Sequence, residues 1–299
     1  MSSLKVLPLQ ILMRLLALLP WSWLNWLGRQ LGEVFWRFDS REKFITATNI
    51  AQCLPELDDD QRAQLVHDSL LDFGQTALEL PKIWLSPPAK VIAAVTQIEG
   101  EDVLERARAS GRGAMILAPH HGNWEVVGVY LGHRYGITSM YLPSENPAVN
   151  ALVQTGRSRS GSTLVPADNS GVRSVLKALK RGALVGMLPD QVPKQAGAEF
   201  APFFGQPALT MTLASNLLQK TGVQAVITVA LRLPEGGFRM IYREPDPALY
   251  SADSAVALAA LNRSVEAIVR EHPEQYQWEY KRFKARVEGT ADIYKRRSA

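Results

Sequence analysis

Ala118-Pro119-His120-His121-Gly122-Asn123-Trp124-Glu125 decides how this 299-residue sequence is read. The apolar run Ala114 to Leu117 before it predicts a buried strand, and Val126 to Leu131 after it continues as a helix. A histidine therefore sits in a strand-to-helix turn, with a glutamate five positions on. Five residues of ideal helix turn through about 500°, which leaves the two side chains about 140° apart. They can meet only if His120 lies in the loop ahead of the helix, where this reading puts it. A carboxylate on one imidazole nitrogen fixes the tautomer and supports the imidazolium formed when the other nitrogen takes a proton. His120 is thus a candidate general base and Glu125 its orienting acid. The spacing alone equally permits two histidines in a polar loop, with Glu125 as a first-turn acid on the helix dipole. His121 is the weaker candidate of the two.

Outward from this turn, short strands and helices alternate. Glu101 to Ser110 reads as a helix, Ile137 to Leu142 as a strand and Asn150 to Ser160 as a helix. A short strand follows near Thr163 to Val165, then a helix over Gly171 to Lys180 and a strand over Leu184 to Leu188. Leu209 to Thr221 reads as a helix. Val223 to Leu233 and Phe238 to Arg243 form a hairpin around Pro234-Glu235-Gly236-Gly237, and Ser254 to Arg270 is a long helix. Ahead of the alternation, Ser40 to Cys53 and Leu57 to about Leu80 form a helical leader that Pro81 and Pro87-Pro88 close. The alternation predicts an α/β sheet with helices on both faces. Ligands of open α/β sheets sit beyond the carboxyl ends of strands. His120, Asp190 and the Asn146-Pro147 turn all fall there.

Other chemistry-bearing positions carry two readings each. Asp190 and Gln191 can bind sugar hydroxyls or hold an arginine; the bland alternative is a turn cap. Arg157 and Arg159 end a helix before Gly161, where two guanidinium forks suit phosphate or merely complement the helix dipole. Arg173, Lys177, Lys180 and Arg181 make a basic helix face, solvated or open to an acidic carrier protein. Lys281, Arg282, Lys284 and Arg286, interleaved with Trp278, Tyr280 and Phe283, suit an anionic head-group region. Cys53 reads as structural. No G-x-S-x-G elbow, Walker-type loop or metal-ligand spacing is present, so no metal and no cofactor are expected.

Net charge is +4, from 33 basic and 29 acidic residues, a mild bias that fits an anionic lipid surface or an acidic carrier. No nucleic-acid motif accompanies it. A single cysteine excludes an intrachain disulfide and paired-cysteine zinc sites. From Val6 to Trp36 the chain is rich in Leu and Trp, interrupted by Arg14, Pro8 and Pro20. Its longest uncharged run, Leu15 to Gly28, is shorter than the ~20 residues of a spanning helix. It lacks a cleavage site of small residues, so it does not read as a removed signal peptide. The expected arrangement is an amphipathic helix pair lying in a membrane interface. A hairpin packed on its own domain, or a tilted span with Arg14 snorkelling, are the alternatives. The expected division is a membrane-associated helical segment over 1–38 and an α/β domain over 39–299.

His120-His121-Gly122-Asn123-Trp124-Glu125 resembles the H-x-x-x-x-D/E block of glycerolipid acyltransferases. In its H-x-G-N-W-E form it is similar to the lipid A late acyltransferases. Asn49 to Leu57, Asn146-Pro147, Arg157 to Gly161, Leu188 to Gln191 and Gln277 to Lys284 match further blocks of that family in order, across nearly the whole chain. Tyr280 and Lys281 depart from it, since the family pattern is W-x-H-R-R-F-K. The resemblance implies a glycerolipid-acyltransferase-like mixed sheet flanked by helices, at the cytoplasmic face of a bacterial inner membrane. It implies acyl transfer from acyl-acyl carrier protein to a hydroxyl of a lipid A precursor, of the lauroyl or myristoyl type. His120 would be the base and Glu125 its partner. Arg159 is the favoured phosphate ligand, with Arg157, Asp190, Asn123 and Gln191 as further substrate contacts. The Gly122 and Asn123 amides are candidates to hold the oxyanion. Acylation of another glycolipid or a lysophospholipid, thioester hydrolysis, and a non-enzymatic membrane-binding module are the rival functions.

Overall fold

The computed structural model describes residues 7–143, 146–193 and 197–295. The first six residues of the expected 1–38 segment lie outside them. Helices α1 (Leu7–Leu18), α2 (Trp21–Arg37), α3 (Arg41–Cys53), α4 (Asp59–Leu85) and the short α5 (Pro88–Ile92) come first. Then β1 (Val95–Glu99), α6 (Glu101–Ala109), β2 (Ala114–Leu117), α7 (Trp124–Tyr135), β3 (Ile137–Tyr141), α8 (Pro147–Arg159), β4 (Thr163–Pro166), α9 (Asn169–Lys180) and β5 (Leu184–Met187) alternate. The chain continues through β6 (Ala198–Phe203), β7 (Gln206–Met211), α10 (Leu213–Thr221), β8 (Gln224–Arg232), β9 (Phe238–Arg243) and α11 (Ser254–Glu271).

Seven strands form a mixed sheet in the order β1-β9-β8-β2-β5-β3-β4, antiparallel only where β8 meets β9. Strand β2 is central, and all four of its residues are buried. Ala114 and Ile116 enter one core with Val126 and Tyr130 of α7. Met115 and Leu117 enter the other, with Val175, Leu217 and Leu261. A strand covered on both faces must be apolar without alternation, which is why this one is legible as a run.

Two expectations are corrected here. Pro81 does not close the leader: α4 runs on to Leu85, held by the capping box of Asp58 and Gln61 at its start and by burial of Pro81, Ile83 and Trp84 at its end. Packing outweighs the one backbone donor that proline lacks. The helix expected from Leu209 begins only at Leu213. Leu209 to Met211 belong to β7, which pairs with β6 in a separate antiparallel hairpin.

Helix α2 lies on α4 at close range. A Cβ on Gly28 would overlap the backbone of Gln75, and one on Gly74 the carbonyl of Gly28. Trp21 turns inward, edge-on to Phe238 with ring centroids 5.5 Å apart. Ile11, Leu12, Leu15 and Leu18 of α1, with Trp23, Trp26 and Val34 of α2, remain exposed. Among the described residues no helix is long and apolar enough to cross a membrane.

Candidate active site

Strands β2 and β5 are parallel neighbours, with Leu117 opposite Met187. His120 and Asp190 each lie the same three positions beyond those partners, so the pairing brings them face to face. Asp190 Oδ1 lies 2.8 Å from His120 Nδ1, and its Oδ2 accepts the His120 backbone N–H at 2.9 Å. The carboxylate side chain is 2% exposed and the imidazole 12%. Burial pushes the Asp190 carboxyl upward, but the His120 ring and these bonds outweigh it and hold Asp190 below the usual carboxylate range. The Trp124 ring packs against the imidazole at 4.8 Å between centroids. No hydrogen bond among the described residues engages His120 Nε2.

Glu125 does not orient His120, contrary to the expectation from the H-x-x-x-x-E spacing. It sits in the first turn of α7, where Arg157 of α8 binds it through two nitrogens, Nε to Oε2 at 3.0 Å and Nη2 to Oε1. Burial raises the Glu125 carboxyl, and Arg157 overcomes that to hold it below the usual range. The sequence gives Asp190 a sugar-binding, arginine-holding or capping role, whereas the structure pairs it with the histidine. The signal that could have found it is its place at the end of the neighbouring strand.

The turn that carries His120 is held from beneath. Gly122 has φ +60 and approaches β8 so closely that a Cβ would overlap the Ala230 carbonyl. Its N–H donates to Gln275 O at 2.8 Å, and that of Asn123 to Ala230 O at 2.8 Å. Both amides are therefore spent, and neither is available to an oxyanion. Asn123 is fully buried and donates from Nδ2 to Glu79 Oε2 at 2.9 Å, so it braces the turn and does not line an open site. Glu79 in turn binds Arg232 of β8, which also holds Asp72 and Thr76 of α4.

The sequence matches the bacterial lipid A biosynthesis acyltransferase family over residues 7–285. The chain belongs to that family. It is 28% identical over 278 residues to the lipid A biosynthesis palmitoleoyltransferase of Escherichia coli (strain K12), covering 92% of this chain and 90% of that protein. It is 29% identical to the lauroyltransferase of the same organism, with the same coverage. With its myristoyltransferase the identity is 24% over 272 residues, 90% of this chain and 83% of the other. The protein is accordingly an acyltransferase of lipid A biosynthesis.

Within this acyltransferase the remaining expected residues divide. Arg159 is exposed, while Arg157 is committed to Glu125. Gln191 donates to Gln277 Oε1 at 2.9 Å. In the C-terminal block Trp278, Arg282 and Phe283 are buried, with Arg282 donating to Leu209 O at 2.7 Å, while Lys284 and Arg286 are exposed. Asn49, from another of the family-like blocks, donates to Trp278 O and Tyr280 O at 2.6 and 2.8 Å. These two blocks therefore meet to close the fold. In the basic face of α9, Lys180 and Arg181 precede the amino end of β5, the pole opposite His120, whereas Arg173 lies near the start of the helix, after the carboxyl end of β4.

His121 has a structural place. It is fully buried, its Nε2 2.9 Å from His272 O, and burial pushes its ring down to about 4. This value lies below the ordinary 6.5. The stability tied to the neutral ring is therefore complete above pH 6.5 and is lost as pH falls toward 4, at about 1.4 kcal/mol per unit. Unfolding titrations will show His121→Gln gaining on the wild type by up to about 3 kcal/mol across that window. A gap between the two proteins that does not change with pH would contradict the neutral assignment.

Proposed function

We propose that the protein transfers a fatty acyl chain from acyl-acyl carrier protein to a hydroxyl of a lipid A precursor, with His120 as general base and Asp190 as its orienting acid. The observation that carries this reading is the His120 Nδ1–Asp190 contact, which leaves Nε2 free to take a proton. The acceptor hydroxyl gives its proton to Nε2 as its oxygen attacks the thioester carbon. The tetrahedral intermediate collapses with cleavage of the C–S bond, and the imidazolium returns the proton to the departing thiolate. Base catalysis contributes about 10²–10⁴-fold, so positioning and charge stabilisation carry the rest. The Gly122 and Asn123 amides, spent on Gln275 and Ala230, take no part in that second role. The three relatives above are named for different acyl groups, so no chain length is assigned.

The exposed apolar side of α1 and α2 supports a seat in a membrane interface, which this proposal puts at the cytoplasmic face of the inner membrane. The test is mass spectrometry of lipid A from a deletion strain complemented with wild type or with His120→Ala. The expected result is loss of one acyl mass on deletion, restored by the wild type and not by the variant. Restoration by His120→Ala would overturn the mechanism, and unchanged lipid A on deletion would overturn the acceptor.

A further inference from the structure

The loops that carry His120 and Asp190 leave the sheet side by side. Ala118 N–H donates to Met187 O at 2.9 Å, the last bond between their two backbones. Past that point a third stretch crosses both loops. Gly122 N–H donates to Gln275 O at 2.8 Å and Gln277 N–H to His120 O at 3.0 Å, so that His121 and Tyr276 pair as an antiparallel bridge. On the other loop, Gln191 Nε2 donates to Gln277 Oε1 at 2.9 Å, and Val192 N–H donates to the Tyr280 hydroxyl at 3.0 Å. Gln277 is thus bonded to His120 by its backbone and to the neighbour of Asp190 by its side chain.

The crossing stretch is firm and the Asp190 loop is not. Asn49 of α3 donates to Trp278 O and Tyr280 O at 2.6 and 2.8 Å, and Trp278 Nε1 donates to Pro273 O at 2.7 Å. The Asp190 loop leaves β5 at Met187 and enters no strand before Ala198. Among the described residues Gln191 and Val192 form no hydrogen bonds besides the two to Gln277 and Tyr280. A loop with so few bonds opens and shifts more readily than the strand before it. The carboxylate must nevertheless meet Nδ1 at 2.8 Å while also taking the His120 backbone N–H. Tyr280 stands where the family pattern has histidine, and its hydroxyl is the atom that reaches this loop.

We infer that Gln277 is a positioning residue for the proposed acyl transfer, its backbone holding the His120 turn and its side chain the Asp190 loop, so that it sets how the carboxylate meets the imidazole. The inference rests on the reading of His120 and Asp190 as base and orienting acid. Gln277 acts through Asp190 and has no part in the proton transfer. Tyr280 supports the same loop one residue further on.

The experiment measures kcat and KM for transfer from an acyl thioester in wild type, Gln277→Leu and Tyr280→Phe, with thermal melts as folding controls. Gln277→Leu leaves the backbone bond to His120 in place and cuts only the link to Gln191. It is expected to lower kcat about tenfold with KM for both substrates nearly kept, inside the roughly 10²-fold that a 1 Å misplacement can cost. Tyr280→Phe, which removes a single oxygen, should move kcat in the same direction by a smaller factor. The deciding readout is the same Gln277→Leu change made on Asp190→Ala, or on Asp190→Asn should the alanine chain not fold, read in single turnovers with enzyme in excess. With no carboxylate left to position, the further loss should be about twofold or less. A tenfold loss in both backgrounds would make Gln277 a structural residue unconnected with the acid, and no loss in either would remove its role; both outcomes overturn the inference. A His120→Ala control keeps the two readings apart. If that variant transfers normally the proposed mechanism fails, and if it is inactive while Gln277→Leu matches wild type, only the positioning role fails.

Discussion

Asp190→Asn will lower acyl transfer by about 10⁴-fold while leaving KM and the fold nearly unchanged. The reason is the division of labour between its two oxygens. Oδ2 accepts the His120 backbone N–H and Oδ1 faces Nδ1. Asparagine offers one oxygen and one NH₂ group. If the oxygen keeps the backbone N–H, the NH₂ group faces Nδ1 and forces the proton onto Nε2, where the acceptor hydroxyl must deliver its own. That tautomer is no base. If the amide turns over, a buried N–H faces an N–H, at about 1–3 kcal/mol. The first arrangement disables the base, and the second keeps the competent tautomer only at that buried cost, so the competent population is small. Steady-state transfer from an acyl thioester, with a thermal melt as the folding control, measures it. Activity within tenfold of wild type would mean that another group orients His120, and Glu125 would return as the candidate.

The difference between those two acids marks where sequence reading stops. The strand–turn–helix around His120 is legible because a strand buried on both faces is apolar without a break, and because a helix start follows it directly. The rule that ligands gather at the carboxyl ends of strands also places Asp190 at the correct pole. The rule does not say which acid reaches the imidazole. Glu125 is near in sequence, whereas Asp190 is near only because β2 and β5 pair in register. The oxyanion reading of Gly122 and Asn123 fails for the same reason. Their amides are taken by carbonyls of Ala230 and Gln275, distant stretches whose arrival no local pattern announces. The hairpin of β6 and β7 is hidden differently. Its two-residue turn puts Phe204 at φ +49 and Gly205 at φ +73, so the first position carries an aromatic where asparagine or glycine is the usual signal. Blocks that match by resemblance are also not equivalent in role. His120 and Asp190 meet in the candidate site, while Asn49 bonds the backbone of Trp278 and Tyr280.

Arg232→Met will destabilise the protein by about 3–5 kcal/mol, the range for removing one partner of a buried ion pair. Arg232 has its side chain 5% exposed and donates to Glu79 Oε1 at 2.8 Å, to Glu79 Oε2 at 2.6 Å and to Thr76 Oγ1 at 3.0 Å, besides binding Asp72. Burial raises Asp72 to about 6 even with this arginine beside it. Without the arginine, Asp72 takes up a proton at neutral pH, but Glu79, 1% exposed, keeps only neutral amides for its charge among the described residues, those of Asn123 and Asn25, each at 2.9 Å. Adding Glu79→Gln removes that stranded charge and keeps an acceptor for Asn123 Nδ2, so the double variant should recover most of the loss. Denaturant unfolding of the wild type, the two single variants and the double variant measures the coupling. A single-variant cost below about 1 kcal/mol would place the network among solvent-screened pairs. The same variants should also lose more activity than their unfolded fraction explains, because Glu79 is the link from α4 to Asn123. Through Asn123 and the backbone of Arg232, which exchanges two hydrogen bonds with the Gln275 side chain at 2.8 and 3.1 Å, this buried charge holds the turn that carries His120.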